Sequence, residues 1–338
     1  MNVLLTSVGR RSYLVNYFRD ALKGDGVVVG ANMFANAAGM LASDIQVVTP
    51  PANHPEYVPV LRELCKKYEI GLLCSLHDLD VYMLSQDQQW LEDADIKHTL
   101  PSADWGRITL DKYECTKLLE SHRIPVPKTT VHLEEAMQSV RSGEWRFPLI
   151  VKARIGFGSL GLAKCNDEAE LRVAFHTAGE QIQASGSGAY LGLPINESVL
   201  IQEAISGKEI CLGIVNDLNG RYRSHFACEV QAMRAGESDW AVSIERECHH
   251  NTAKRFSKLT NHMGIWGVDC LDDEGTFRVI DVNPRFTGDY AFHHLAGADI
   301  PRALVSWAKG STAPQECFDS QPGIQGYKDL VPTVATLK

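Results

Sequence analysis

A switch in hydrophobic rhythm near residue 110 constrains the fold of this chain more than any other feature of its sequence. Before the switch, short β-branched runs alternate with amphipathic stretches: Val3-Leu4-Leu5-Thr6, then Leu14, Val15, Phe18 and Leu22 at helical spacing. Further strand runs stand at Val27-Val28-Val29, at 45–48 and at 71–74, with Tyr57, Leu61, Leu64 and Tyr68 on a helix between the last two. Such alternation predicts a parallel sheet with helices on its faces. The last third reads instead as consecutive strands, 209–215 and 222–230 around an Asn219-Gly220 hairpin signal, then 266–271 and 277–282. An α/β part and an α+β part therefore share one chain.

Between them, Asp111 reads as a helix N-cap with Glu114 completing a capping box, and Ile124-Pro125-Val126-Pro127 makes a stiff exit. The resulting division is 1–110, a linker helix at 111–127, then 128–203 and 204–338. Helices are expected near 133–140, 167–178, 252–263 and 301–309, and strands at 148–153 and 199–203. The glycine- and serine-dense stretch 184–194 reads as a mobile loop, and the tail after Gly310 as irregular.

Composition removes whole classes of function. With 33 basic against 42 acidic residues, a net charge of −9 and no Lys/Arg run longer than a pair, no nucleic-acid partner is expected. No window approaches eighteen apolar residues and no cleavage-site stretch precedes the first strand, so a cytoplasmic protein with no membrane partner is expected. The nine cysteines never form a CxxC pair, which argues against both disulfides and a cysteine zinc site. His249-His250 and His293-His294 lack metal-ligand spacing and read as core or surface histidines. The first turn holds Gly9 alone rather than G-x-G-x-x-G, which argues against a nicotinamide cofactor.

The chemistry gathers in three places. Asp269 and Asp281 lie twelve residues apart on two strand runs, with Asn283 and Arg285 at alternate positions beyond. A three-residue loop at 273–275 would put both acids on one face as diagonal neighbours, about 7–8 Å apart. Hard oxygen donors beside an arginine suit a magnesium ion shared with nucleotide phosphates. The alternative is two solvated acids with a structural Asp281–Arg285 pair. Upstream, Lys152 stands in an apolar strand just before glycines 156, 158 and 161, where backbone N–H groups are free to wrap phosphate. Arg10, Arg11, His77 and Asp78 close two strands at their carboxyl ends, where open α/β sheets bind ligands, and read either as substrate contacts or as solvated loop residues. Arg234 reads equally as a substrate grip and as an exposed turn residue.

The ordered motifs DKxxxxxxLxxxxIPxP from Asp111, FPLIVKAxxGxGSxG from Phe147, LIQExIxGxE from Leu200 and GVDCxxxxxxxxVIDVNPRxxGD from Gly267 resemble the ATP-grasp superfamily. Within it, the chain is similar to the carbamoyl phosphate synthase large-chain-like and pyrrolysine-pathway-ligase-like group. The resemblance implies a Rossmann-like parallel-sheet (pre-ATP-grasp) domain, a small lid and an antiparallel-sheet carboxyl domain, with ATP between the last two. It makes Lys112 and Lys152 phosphate ligands, with Gly156, Gly158, Ser159 and Gly161 closing over them. Gln202, Glu203 and Ile205 become the adenine hinge and Glu209 a ribose contact. Asp269, Asp281 and Asn283 become ligands of Mg²⁺, or of Mn²⁺, with aspartates where the family more often has glutamates; Arg285 becomes a catalytic group beside Asp281 and Asn283. Asp289 aligns with a further acid of unassigned role. The implied activity is ATP-dependent joining of a small carboxylic acid, an amino acid first among candidates, to an amine through an acylphosphate. A carbamoyl- or acyl-phosphate-forming variant and a non-catalytic ATP-binding relative are the alternatives. Homodimers are common in the family.

Overall fold

The computed structural model describes residues 1–234 and 236–331 and contains three sheets. The first has strands β1 (Asn2–Thr6), β2 (Val28–Asn32), β3 (Ile45–Val48), β4 (Ile70–Ser75) and β5 (Lys97–His98), all parallel in the order β3-β2-β1-β4-β5. Helix Ser12–Leu22 buries Leu14, Val15, Phe18 and Leu22 against it, the four apolar positions that share one face at helical spacing. The second sheet orders β6 (Thr129–Thr130), β7 (Leu149–Ala153), β8 (Ala163–Cys165) and β9 (Val199–Glu203) as β6-β9-β7-β8. The third contains β10 (Lys208–Asn216), β11 (Tyr222–Arg234), β12 (Glu237–Ser243), β13 (Gly264–Asp273), β14 (Thr276–Asn283) and β15 (Gln325–Tyr327) in the order β14-β13-β10-β11-β12-β15. Neighbouring strands of the second and third sheets run antiparallel.

Several elements depart from the sequence reading. Residues 184–194 hold the end of helix Glu168–Ser185 and a 3-10 turn, Ser187–Leu191, because Gly186 takes a left-handed φ of 71° and caps the longer helix. Strand β12 and the helix Tyr290–Leu295 were not foreseen. The tail is not wholly irregular: β15 pairs with β12, aligning Trp240 with Tyr327. Pro332, part of that tail reading, lies outside the described residues.

The linker helix Lys112–Ser121 starts as its sequence dictates, with the Asp111 carboxylate accepting from the Tyr113 and Glu114 N–H groups. The reciprocal arm of the capping box is missing. The Glu114 carboxylate instead stands 3.7 Å from Arg154, whose guanidinium grips Asp111 through two bonds of 2.8 Å. Arg154 follows β7, so this buried pair ties the linker to the second sheet, and the Lys112 N–H donates to the Arg154 carbonyl at 3.1 Å.

A single apolar core joins the first sheet to the third. It runs from Val3, Leu5 and Phe18 to Phe226, Phe286, Tyr290 and helix Ile300–Ala308, so the parallel sheet is packed as a fixed wall beside the carboxyl-terminal part. No helix among the described residues is long and apolar enough to cross a membrane.

Candidate active site

A cavity of about 430 Å³ opens where the three sheets meet. Arg10, Arg11, His77 and Asp78 reach it from the carboxyl ends of β1 and β4, and Lys152, Gly156, Gly158 and Ser159 from the second sheet. Lys112, Glu209, Asp269, Asp281, Asn283 and Arg285 line it as well.

The two acids meet by a route other than the expected one. The β13–β14 loop has two residues, Glu274 and Gly275, at φ 51° and 89°, which alone would turn Asp281 to the opposite face. A bulge at Ile280 restores the parity: Cys270 pairs with Val279, yet Asp269 pairs with Asp281 directly rather than diagonally. The bulge has a second effect. The Ile280 carbonyl accepts from the Lys152 ammonium at 3.0 Å.

Each acid already has a partner on one side. Lys112 donates to both oxygens of Asp281, at 2.7 and 2.9 Å, so the ammonium expected on phosphate rests on the carboxylate. Asn283 donates to Asp269 at 3.1 Å and accepts from Arg285 at 3.2 Å. Arg285 does not pair with Asp281 but reaches across to Asp78 at 2.6 Å, both side chains nearly buried. That bond links β14 to the first sheet.

Charge is poorly compensated at Asp269. Burial, then the nearby Asp289 and Asp281 carboxylates, push its pKa well above the usual range, and its Oδ1 is buried without a partner among the described residues. Cys211 Sγ and one oxygen each of Asp269 and Asp289 lie within 4.8 Å of one another, which makes Asp289 part of the acidic end. Burial also raises Glu209, helped by Asp289. Lys152 is lowered to about 8, chiefly by burial, with Lys112 adding to the effect against the pull of Asp281. At Lys112 burial works the same way, but Asp281 outweighs it and raises the pKa. Two ammonium groups, a glycine loop and acids that repel each other are what a cation-bound phosphate chain would neutralise.

The loop between β7 and β8 covers the cavity. Gly158 and Gly161 adopt φ of 60° and 67°, and a Cβ at Gly161 would come within 3.0 Å of Ala178. Phe157 lies over His77, ring centres 4.5 Å apart, while Gly236 of the β11–β12 turn presses against Gly158 and Ser159. The flap therefore touches both the first and the third sheet.

Five predicted residues stay outside the lining: Gly161, Gln202, Glu203, Ile205 and Arg234. Gln202 is buried, its amide donating to Thr129 at 2.9 Å, and the Glu203 N–H donates to the Lys128 carbonyl at 3.0 Å. Arg234 ends β11, opposite Glu237, half-exposed in a 2.5 Å ion pair with Asp239. Conversely, Cys211, Glu237 and Asp289 line the cavity, and sequence reasoning gave none of them a role. Cys211 alternates with Glu209 along β10, a strand-period signal that was available.

A parallel wall, a glycine-flapped lid and a larger antiparallel sheet carrying the acids constitute an ATP-grasp fold. The chain belongs to the ATP-grasp family: residues 109–289 match the description "ATP-grasp domain", and residues 3–99 match "PylC-like, N-terminal domain". A D-alanine–D-alanine ligase of Francisella tularensis subsp. novicida is 31% identical over 204 residues, covering 57% of this chain; the chain spans 62% of that relative's length. A biotin carboxylase from Campylobacter jejuni, described in complex with β-γ-ATP, superposes with a TM-score of 0.69 at 17% identity, covering 94% of this chain and 73% of its own. The biotin carboxylase domain dimer of Hydrogenobacter thermophilus 2-oxoglutarate carboxylase, described with MgADP and bicarbonate, gives 0.70 at 16% identity, covering 94% of this chain and 72% of its own.

Proposed function

We propose that this chain is an ATP-dependent carboxylate–amine ligase. The observation that carries the reading is the convergence of Lys112, Lys152, the glycine flap and the paired Asp269 and Asp281 on one cavity. Lysines, an arginine and paired acids are the groups that phosphoryl transfer by positioning and charge neutralisation requires.

The residues present fit ATP and a divalent cation. Asp269 holds an orphaned buried oxygen, and Gly158 has no atom within 4 Å of where a Cβ would stand, leaving the flap backbone open to an anion. Lys112, Lys152 and the Gly156–Gly161 loop would hold the phosphates, and Asp269, Asp281 and Asn283 would hold Mg²⁺ or Mn²⁺. Bound, ATP and the cation supply the phosphoryl group that turns a carboxylate into an acylphosphate open to attack by an amine.

The protein's own groups set the stage for that transfer. Arg285, fixed by Asp78 and by Asn283, is an immobile positive charge whose orientation needs no reorganisation. Lys152, anchored on the Ile280 carbonyl, and Lys112, resting on Asp281, are cations drawn into position before an anion arrives. The flap, braced on His77 and Gly236, excludes water that would hydrolyse an activated acid. For the adenine, the Gln202 side chain is committed to Thr129, which leaves the backbone of 203–205 as the hinge; Glu209 remains the ribose candidate.

The division at 110, 127 and 203 belongs to the same reading, supported by the confinement of each sheet to one segment; limited proteolysis tests it. Homodimerisation belongs there too, supported by the relative described as a domain dimer, with light scattering as its test. The ligase reading is tested by phosphate release across pairs of small carboxylic acids and amines with Mg²⁺. At least one pair should stimulate release, and Asp281→Ala should abolish it. ATP binding with no release under any pair would overturn it.

A further inference from the structure

We propose that Cys211, Asp269 and Asp289 form a second cation site, for a thiophilic divalent ion, Zn²⁺ above all, and that its occupancy opposes the nucleotide-bound cation on the other side of Asp269. The opposition rests on the magnesium assignment above; the binding of zinc does not.

The site follows from the register of the third sheet. Cys211 of β10 pairs with Asp269 of β13, so their side chains stand beside each other on the face that lines the cavity. Asp289, the residue before helix Tyr290–Leu295, comes over that face, and Phe292 of the same helix packs on Cys211 and Cys228. Cys211 Sγ and one oxygen of each acid thereby lie within 4.8 Å of one another. A tetrahedral zinc ion holds a thiolate and two carboxylate oxygens about 3.3–3.5 Å apart, a difference that small side-chain rotations close.

The acids are left waiting for a ligand. Asp289 is only 7% exposed, and its Oδ1 and that of Asp269 are buried without a hydrogen-bond partner among the described residues. Asp269 Oδ2, by contrast, accepts from Asn283 of β14. Strand β13 lies between β10 and β14, so Asp269 serves the magnesium set with one oxygen and keeps the other for the Cys211 side. A cation on Asp269, Asp281 and Asn283 leaves Asp289 and the thiol without an answer. Two carboxylates held this close in a buried place call for a positive charge, and the third donor decides which. Mg²⁺ takes oxygen ligands and keeps its waters, whereas a thiolate selects zinc and its borderline-soft neighbours. All three residues line the cavity, so an ion enters without opening the core, and the Cys211 proton leaves to solvent by the same way on coordination. With Asp269 shared, the second dication repels the first and draws on the same carboxylate.

The test is titration of the reduced, chelator-stripped, nucleotide-free full chain with Co²⁺, whose thiolate charge-transfer band reports sulfur coordination directly. One ion per chain should bind with the band; Zn²⁺ should displace it and Mg²⁺ should not. Cys211→Ser should remove the band, and Asp289→Asn should weaken Co²⁺ binding at least about tenfold. Cys228→Ser, at the thiol paired across β11, Cys248→Ser, at the exposed thiol, and Asp281→Asn, in the magnesium set, should each keep it. Zn²⁺ should weaken a non-hydrolysable ATP analogue with Mg²⁺ about tenfold in the parent and not in Cys211→Ser, whose own affinity for the analogue checks the fold. Absence of the band from the parent, its survival in Cys211→Ser, or its loss in any of the three variants that should keep it overturns the site; Zn²⁺ without effect on the analogue overturns the opposition. Phosphate release by a parent chain that shows no band would sink the zinc site and leave the ligase reading standing, and a band with no release under any acid and amine pair would do the reverse.

Discussion

At the scale of single residues, Asp269 is under electrostatic stress, a buried carboxylate with Asp289 and Asp281 close by and one oxygen without a partner among the described residues. Replacing it with asparagine removes the repulsion and keeps the shape. Asp269→Asn should therefore stabilise the unliganded protein, by about 1–2 kcal/mol in denaturant titrations, while losing the extra stability that Mg²⁺ with nucleotide confers on the parent. Lys152 supplies a pH signature. With its pKa at about 8, well under the lysine value of 10.5, the charged form is disfavoured in the folded protein and is lost as pH rises through 8. Anion binding must then restore the proton, so affinity for an ATP analogue should fall about tenfold per unit above pH 8, and Lys152→Arg should flatten the slope. Both residues were legible in the sequence because a lysine in an apolar strand and alternating acids need a chemical reason. Lys328 was not: it follows β15 in a stretch whose local pattern says nothing, and only the tertiary fold brings its ammonium within 3.8 Å of Glu237.

Among elements, the β13–β14 hairpin decides whether the acids can cooperate. Its turn and strands could be read from Gly275 and the apolar runs, but the bulge could not, because Ile280 is one apolar residue among several in its strand. The sequence reading reached the right face through the wrong device, an odd loop in place of an even loop plus a bulge. Deleting Ile280 should straighten the ladder, leave Asp281 opposite Asp269 and remove the carbonyl that holds Lys152. Circular dichroism should then stay near the parent's while affinity for an ATP analogue falls about tenfold, as loss of the one contact that anchors Lys152 would give; unchanged affinity would contradict the role given to the bulge. The β11–β12 turn bears on the flap. Gly236 has φ 77° and a Cβ there would meet Ser159 Oγ at 2.9 Å, so Gly236→Val should raise the KM for ATP severalfold while altering denaturation by no more than about 1–3 kcal/mol.

For the whole molecule, the division into a parallel sheet and antiparallel sheets was legible from periodicity, whereas their mutual docking was not. The docking rests on the shared core and on Asp78–Arg285, residues 207 positions apart that sequence reading had placed in separate roles. The same burial sets a global pH response. His262 is lowered to about 3 and His98, His249 and His293 to about 4, burial being the leading cause in each. These histidines stay neutral in the fold and charge in the unfolded chain near 6.5, so each removes up to about 1.4 kcal/mol per unit as pH falls below 6.5 toward its folded value. Denaturant midpoints should drop between pH 7.5 and 5.5, and His262→Phe should make that drop shallower. The central claim is that a nucleotide-bound cation sits on the acids of the third sheet. Anomalous diffraction from crystals grown with Mn²⁺ and a non-hydrolysable ATP analogue tests it: the peak should lie within metal–oxygen distance, about 2–2.5 Å, of Asp269, Asp281 and Asn283. A peak coordinated by none of the three, with the triphosphate away from Lys112 and Lys152, would contradict it.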